Sequence, residues 1–288
     1  MKLDGRREST HVQDRRRMSG GKATGLGLGG IVIVAAITLL MGGDLGDVVR
    51  NVMGTSQGTV MTEQPDREFT AEEQALASFS KKILAGTEDV WTAYFQQLGL
   101  EYQSPTMVLY TGTTQSGCGT GSAAMGPFYC SADQCLYIDL SFFSSMKSQL
   151  GADGDFAYAY VIAHEVGHHV QHLLGTLGDA HQRMARMSKA DANRVSVRIE
   201  LQADFYAGVW AHHDHAMFGS IEAGDIDEAI RCASVIGDDY LQKKAQGYAV
   251  EESFTHGTAA QRKKWLNRGI QTGDIRQGDT FSIPESQL

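Results

Sequence analysis

Apolar residues recur at helical spacing in several stretches of the chain, separated by capping and turn residues. Thr70-Ala71-Glu72-Glu73 matches a capping box, which indicates the start of a helix. Asp155 is expected to cap the most apolar of these helices, and Gly175 is expected to end it. Together the patterns predict helices over 70–84, 88–98, 156–174 and 191–212, a helix starting at Asp225, and another over 258–268.

Short apolar runs between the second and third predicted helices have the length and composition of strands. Residues 107–110 follow Pro105 and predict one strand. Residues 128–130 and 136–140 predict the two arms of a hairpin, after a loop over 112–126 that is rich in Gly, Ser and Thr. The sequence therefore predicts an α+β fold, helix-rich with a small β-sheet, in one domain over 69–288.

An uncharged stretch, residues 23–43, has the length needed to cross a hydrocarbon core of about 30 Å. We expect a transmembrane helix there, with residues 1–22 as a basic cytoplasmic N-terminus and 44–68 as a linker. The basic residues before the stretch predict, by the positive-inside rule, a single-pass protein of the inner membrane whose domain is extracytoplasmic. A cleaved signal peptide and a buried core helix are the two alternatives.

Charge is distributed unevenly along the chain. The formal net charge is -9, whereas residues 1–22 hold seven Lys or Arg against three Asp or Glu. The rest of the chain is therefore acidic and lacks the basic face that a nucleic-acid binder uses. We expect no nucleic-acid partner.

Four cysteines are present, and no two of them form a C-x-x-C pair, so a zinc ribbon is not indicated. In an extracytoplasmic domain they can form two disulfides. Cys118–Cys130 with Cys135–Cys232 is one possible pairing, and Cys130–Cys135 could instead bridge the predicted hairpin. Four buried thiols in a reducing compartment are the alternative.

His164-Glu165-Val166-Gly167-His168 matches the H-E-x-x-H pattern within the most apolar predicted helix. Two histidines four residues apart project from one face of a helix, so both rings can bind one Zn²⁺. Glu165 lies beside them, where it can take a proton from zinc-bound water. The pattern predicts a catalytic zinc site with one ion per chain and Glu165 as the base.

A catalytic zinc ion needs a third protein ligand. Glu200 and Asp204 are four residues apart on one predicted helix face, so Glu200 can bind zinc while Asp204 orients a ligand histidine. The alternative is that Glu200 and Asp204 only form ion pairs on the helix surface with Arg194 and Arg198. Asp179 and His181 are the other candidate ligands.

The sequence resembles the bacterial neutral zinc metallopeptidases. The resemblance includes the motif extended to Gln171, the segment Glu200-Leu201-Gln202-Ala203-Asp204, the segment 253–257 with Arg262, and the loop from Cys118 to Cys130. The segment at Glu200 is similar to that of the gluzincins. This resemblance implies a zincin-like domain in which Glu200 is the third ligand and Asp204 supports a histidine.

The resemblance also implies a role for His256. Related peptidases have Thr-His-Pro with an arginine six residues after the histidine, and this chain has Thr255, His256 and Arg262 but Gly257 in place of proline. His256 is expected to donate a hydrogen bond to the oxyanion of the tetrahedral intermediate.

These patterns predict a peptidase that hydrolyses a peptide or protein substrate, with an extended substrate added beside an edge strand within 107–140. Two other functions fit the same residues: a non-catalytic envelope scaffold or chaperone with structural zinc, and a zinc hydrolase of a non-peptide amide. A fourth protein ligand would favour the scaffold.

Overall fold

The structure is a computed structural model that describes residues 1–19, 62–63 and 67–288. The helices among them are α1 (Ala71–Gln97), α2 (Ser141–Ser145), α3 (Asp155–Leu173), α4 (Thr176–Met184), α5 (Lys189–Phe218), α6 (Asp225–Val235), α7 (Asp238–Gln246) and α8 (Ala259–Thr272). The strands are β1 (Val12–Asp14), β2 (Met18–Ser19), β3 (Thr62–Glu63), β4 (Thr106–Tyr110), β5 (Thr113–Ser116), β6 (Gly119–Ser122), β7 (Phe128–Cys130) and β8 (Cys135–Asp139). The predicted helix-rich α+β class is confirmed.

Local capping explains where several helices begin. The Thr70 hydroxyl accepts from the amide of Glu73, whose carboxylate accepts from the Thr70 amide, so the predicted capping box forms. The helix then runs without a break to Gln97, so the two predicted helices are one. At α3 the N-cap is Gly154 rather than Asp155, and the Glu228 carboxylate accepts the Phe156 amide in place of a cap.

One mixed sheet packs against the helices, with strand order β1-β4-β8-β7. Strands β1 and β8 are both parallel to β4, and β7 is antiparallel to β8. Strands β5 and β6 form a separate hairpin within the predicted loop, and β2 pairs with β3. Strands β1 and β7 are therefore the two edges of the sheet.

Glycines allow the central helices to approach closely. A Cβ on Gly167 of α3 would lie 2.9 Å from the Ala203 carbonyl oxygen of α5. A Cβ on Gly208 would overlap the Leu266 carbonyl oxygen, and one on Gly269 would overlap that of Phe205, so α5 and α8 are in backbone contact. These contacts bring α3, α5 and α8 together around one buried region.

The N-terminal segment, residues 1–19, lies against the domain. Strand β1 adds to the sheet beside β4, and Leu3 and Val12 pack against the main core. The sequence assigned these residues to a separate basic terminus, because a three-residue strand leaves almost no periodic signal. In the structure residues 12–14 are part of the domain's sheet, and the segment around them packs against the domain.

The predicted transmembrane helix, 23–43, and most of the predicted linker lie outside the described residues. Within the parts of the chain that are described, no helix is long and apolar enough to cross a bilayer.

The cysteines form one disulfide, Cys118–Cys130, whereas Cys135 and Cys232 are buried thiols. The two-disulfide prediction is therefore wrong for its second pair. The alternative Cys130–Cys135 bridge is also absent, although these residues are direct cross-strand partners.

Candidate metal and catalytic site

The two motif histidines and Glu200 converge between α3 and α5. Their ligand atoms lie within 4.8 Å of one another. Nε2 of His164 lies 3.1 Å from one Glu200 oxygen, and Nε2 of His168 lies 3.5 Å from the other. Among the described residues this is the one such group, and neither Asp179 nor His181 belongs to it.

Asp204 supports His164 from the side away from Glu200. Its Oδ1 lies 2.8 Å from Nδ1 of His164 and accepts from the Tyr160 hydroxyl at 2.5 Å. Arg262 donates to both oxygens of Asp204, from Nε at 2.8 Å and from Nη2 at 2.9 Å. Because a carboxylate only accepts, Nδ1 of His164 carries the proton and Nε2 faces Glu200.

Gln171 orients the ring of His168, as Asp204 orients that of His164. Its amide nitrogen donates to the Ile199 carbonyl at 2.8 Å and to Gln202 at 3.0 Å, so its Oε1 faces Nδ1 of His168, at 2.9 Å. Nδ1 must therefore donate, which leaves Nε2 for a metal. In the sequence, Gln171 entered only as the last residue of the extended motif, because nothing there indicates what its side chain contacts.

Charges in this buried region shift the pKa values of His164, Glu200 and Asp204. Burial opposes a charge on His164, but Asp204 and Glu200 outweigh it and raise its pKa to about 10. Burial also works against ionised Glu200 and Asp204, yet the positive neighbours lower both pKa values, that of Asp204 to about 2. The raised pKa keeps a second proton on Nε2 of His164, beside Glu200. A divalent cation bound at Nε2 would replace that proton, so its binding is expected to release a proton.

Glu165 has no ligand role in this geometry. It is buried on α3 beside the two histidines, and burial raises the pKa of its carboxyl while the histidines oppose that shift. A carboxylate with a raised pKa, next to a metal site but outside the ligand set, has the properties of a general base.

His256 lies close enough to Glu200 for their charges to interact, and it is held by Asp238. The Asp238 carboxylate accepts the amides of Thr255, His256 and Gly257, and its other oxygen is 3.2 Å from Nδ1 of His256. Burial disfavours the charged ring, but Asp238 and Glu200 outweigh it and raise the pKa of His256. Asp238 was not singled out in the sequence, because the residues that it holds lie in a distant segment.

The departure from the Thr-His-Pro pattern has a structural reason. Gly257 has φ of +90° and donates its amide to Asp238 at 3.0 Å. Proline fixes φ near -65° and has no N–H, so it could adopt neither feature. Glycine is therefore the residue that this turn requires.

Two imidazole nitrogens and one carboxylate form the ligand set of many catalytic zinc sites, which keep one coordination position open. The donor chemistry and the orientation of both rings fit a zinc ion. Comparison with known proteins agrees with this geometry, because the family model described as "Putative neutral zinc metallopeptidase" matches residues 1–281. The chain belongs to this family.

Two relatives extend the comparison. The uncharacterized protein YpfJ of Escherichia coli (strain K12) is 48% identical over 288 residues, which cover 98% of this chain and 99% of the relative. The uncharacterized protein Rv2575 of Mycobacterium tuberculosis (strain ATCC 25618 / H37Rv) is 37% identical over 255 residues, 81% of this chain and 85% of the relative. No solved structure matches the chain. Family membership implies zinc and a peptide or protein substrate.

Proposed function

We propose that the protein is a zinc-dependent peptidase in which His164, His168 and Glu200 hold the metal and Glu165 is the general base. The observation that supports this most directly is the convergence of three ligand atoms within 4.8 Å, beside a buried carboxylate that is not a ligand. With three protein ligands in the described part of the chain, one coordination position is left for the reaction. A structural zinc site would use four.

Each side chain then has one task in the proposed mechanism. Bound zinc would polarise the scissile carbonyl and lower the pKa of the attacking water. Glu165 takes the proton of that water and delivers it to the leaving amine. Protonated His256, oriented by Asp238, donates to the developing oxyanion. Asp204 and Gln171 keep both ligand histidines in the required orientation.

Strand β7 is the proposed docking edge for an extended substrate. It is the edge of the sheet nearest the motif helix, because the Tyr129 hydroxyl lies 2.9 Å from Nδ1 of His169. His169 is itself held by the Gln103 carbonyl at 2.6 Å. A peptide added to β7 would therefore run along α3, the helix that carries His164 and His168. Strand β1 lies at the opposite edge of the sheet.

The test is hydrolysis of a peptide library by the wild-type chain and by Glu165→Gln, each with zinc content measured. We expect Glu165→Gln to keep zinc and to lose about 10²–10⁴-fold in kcat, since a positioned base contributes that much. Full activity of Glu165→Gln would refute the base assignment. A wild-type chain that binds zinc but cleaves no peptide, while hydrolysing other amides, would indicate a non-peptide substrate instead.

A further inference from the structure

The backbone of the N-terminal segment is built into the sheet of the metal-binding domain. Strand β1 pairs with β4 in parallel register from Val12↔Met107 to Asp14↔Leu109. The Met107 amide donates to the His11 carbonyl at 2.8 Å, and the Arg15 amide donates to the Leu109 carbonyl at 2.7 Å. Strand β4 is the neighbour of β8 in the centre of the sheet, so the pairing joins the segment to the core.

Buried polar contacts hold the same segment to two helices. The Ser9 hydroxyl donates to Glu88 of α1 at 2.5 Å, and both residues are buried. The Arg6 guanidinium lies 2.9 Å from Asp214 of α5, with side chains 11% and 2% exposed, and it stacks 3.6 Å from the centre of the Phe218 ring. Separating a pair this deeply buried would leave uncompensated charges, which is strongly unfavourable.

These contacts also account for much of the basic charge that precedes the apolar stretch. Arg6 pairs with Asp214, Arg7 pairs with Glu88 at 2.9 Å and with Asp89 at 2.6 Å, and Arg16 pairs with Asp14 at 2.6 Å. Arginines neutralised by carboxylates of the protein are poor partners for anionic lipid headgroups. The arginines whose charge predicted a cytoplasmic N-terminus therefore form ion pairs within the folded protein.

The residues just before and just after the stretch 20–61 lie next to each other. Ser19 of β2 pairs with Thr62 of β3. Arg67 then donates to the Arg16 carbonyl and to the Thr111 hydroxyl, both at 2.8 Å. Both ends of the stretch 20–61 are thus fixed to the same part of the domain, next to β4.

We infer that residues 1–19 and the metal-binding domain lie on the same side of any membrane that the protein meets. Neighbouring strands of a sheet lie about 4.7–4.9 Å apart, whereas a hydrocarbon core is about 30 Å thick. A single crossing by residues 23–43 would put β1 and β4 on opposite faces and is incompatible with this sheet. The inference corrects the predicted topology, and it does not depend on the proposed peptidase activity.

Cysteine labelling of the full-length chain in cells tests this topology. Thr10 and Ala245 are both exposed, one in the N-terminal segment and one in α7. Thr10→Cys and Ala245→Cys would be treated separately with a membrane-impermeant maleimide, before and after permeabilisation. We expect the two variants to behave alike. Either both are labelled to the same fraction in intact cells, or both are labelled only after permeabilisation and then to the same fraction. The parent chain is the control, since its thiols are buried or disulfide-bonded.

Labelling of one variant in intact cells and of the other only after permeabilisation would overturn the inference. A second measurement checks the docking itself in the full-length chain. Arg6→Ala, Asp214→Ala and the double variant are compared by thermal unfolding. We expect each single change to lower Tm, and the double change to lower it by clearly less than the sum. Additive losses would mean that the segment is not docked on α5.

Discussion

The two histidines of the proposed zinc site are oriented by groups of different charge. His164 donates to Asp204, which is ionised and also bound by Arg262, whereas His168 donates to the neutral amide of Gln171. A charged acceptor raises the basicity of its histidine more than an amide does. The basicity of His164 is therefore raised more than that of His168. The smaller contribution, that of Gln171 to His168, can be tested by substitution.

Gln171→Met is expected to weaken zinc binding about 10–100-fold, the range for loss of a group that orients a metal ligand. Methionine fills the space but cannot accept from Nδ1 of His168, so the ring loses its fixed tautomer. The measurement is zinc affinity by competition with a chelating dye. Gln182→Met, at an exposed position of α4, is the matched control. Unchanged affinity in Gln171→Met would exclude a supporting role.

Asp238 is expected to set the alkaline limit of activity through His256. Because Nδ1 of His256 donates to Asp238, Nε2 carries a proton only when the ring is charged. The donor is therefore present below the raised pKa of His256 and is lost as pH rises through it.

Asp238→Asn removes the negative charge that raises this pKa, so the alkaline limb of the pH profile of kcat should move to lower pH. The acidic limb, which follows Glu165, should stay in place. We expect His256→Ala to lose about 10²–10³-fold in kcat, the usual effect of removing one oxyanion donor. An unchanged alkaline limb in Asp238→Asn would contradict this role.

At the scale of elements, the helices are positioned by glycine contacts as much as by apolar faces. Helix α5 brings Glu200 and Asp204 to the site, and α8 brings Arg262 to Asp204. Gly208 and Gly269 allow these two helices to touch along their backbones. The spacing of α5 and α8 therefore decides whether Arg262 can reach its partner.

Gly208→Ala is expected to destabilise the fold by about 1–3 kcal/mol, because its Cβ would overlap the Leu266 backbone and overpacking of a core costs that much. The measurement is chemical unfolding. Gly178→Ala in α4 is the matched control, since nothing lies within 4 Å of its added Cβ and alanine favours a helix. A Gly208→Ala chain as stable as the control would show that the helices can separate freely.

For the whole molecule, a bound ion should link the helices that supply its ligands. An ion that binds the folded chain and not the unfolded one adds about 2.7 kcal/mol to its stability at 100 times the Kd. A change of that size raises Tm by roughly 5–10 °C in a domain of this size. Thermal unfolding with and without chelator measures the shift.

Two variants separate ligands from other site residues in the same experiment. Glu165→Gln should keep the zinc-dependent shift in Tm, because Glu165 is not a ligand in the proposed site. Glu200→Gln should lose most of it. Equal shifts in both variants would mean that the metal binds elsewhere.

Local patterns in the sequence determined the helix-rich class, the H-E-x-x-H motif, the capping box at Thr70 and the strands over 107–110 and 128–130. Those features depend on residues that are a few positions apart in the sequence. Their spacing alone places them on one face of a helix or strand, or within one helical turn. The sequence also indicated Glu200, by its helical spacing with Asp204 and by the resemblance to related peptidases.

Tertiary structure alone decided the rest. Gln171 is oriented by Ile199 and Gln202, and Asp238 accepts the amides of residues 255–257. These partners are distant in the chain, and no local pattern encodes such contacts. The position of the N-terminal segment is the clearest case. In the structure its arginines pair with Asp214 and Glu88, and the sequence around these arginines cannot distinguish such pairing from contact with lipid headgroups. Which partner a charge finds depends on how the whole chain folds around it, since burial and long-range pairing are properties of the assembled core.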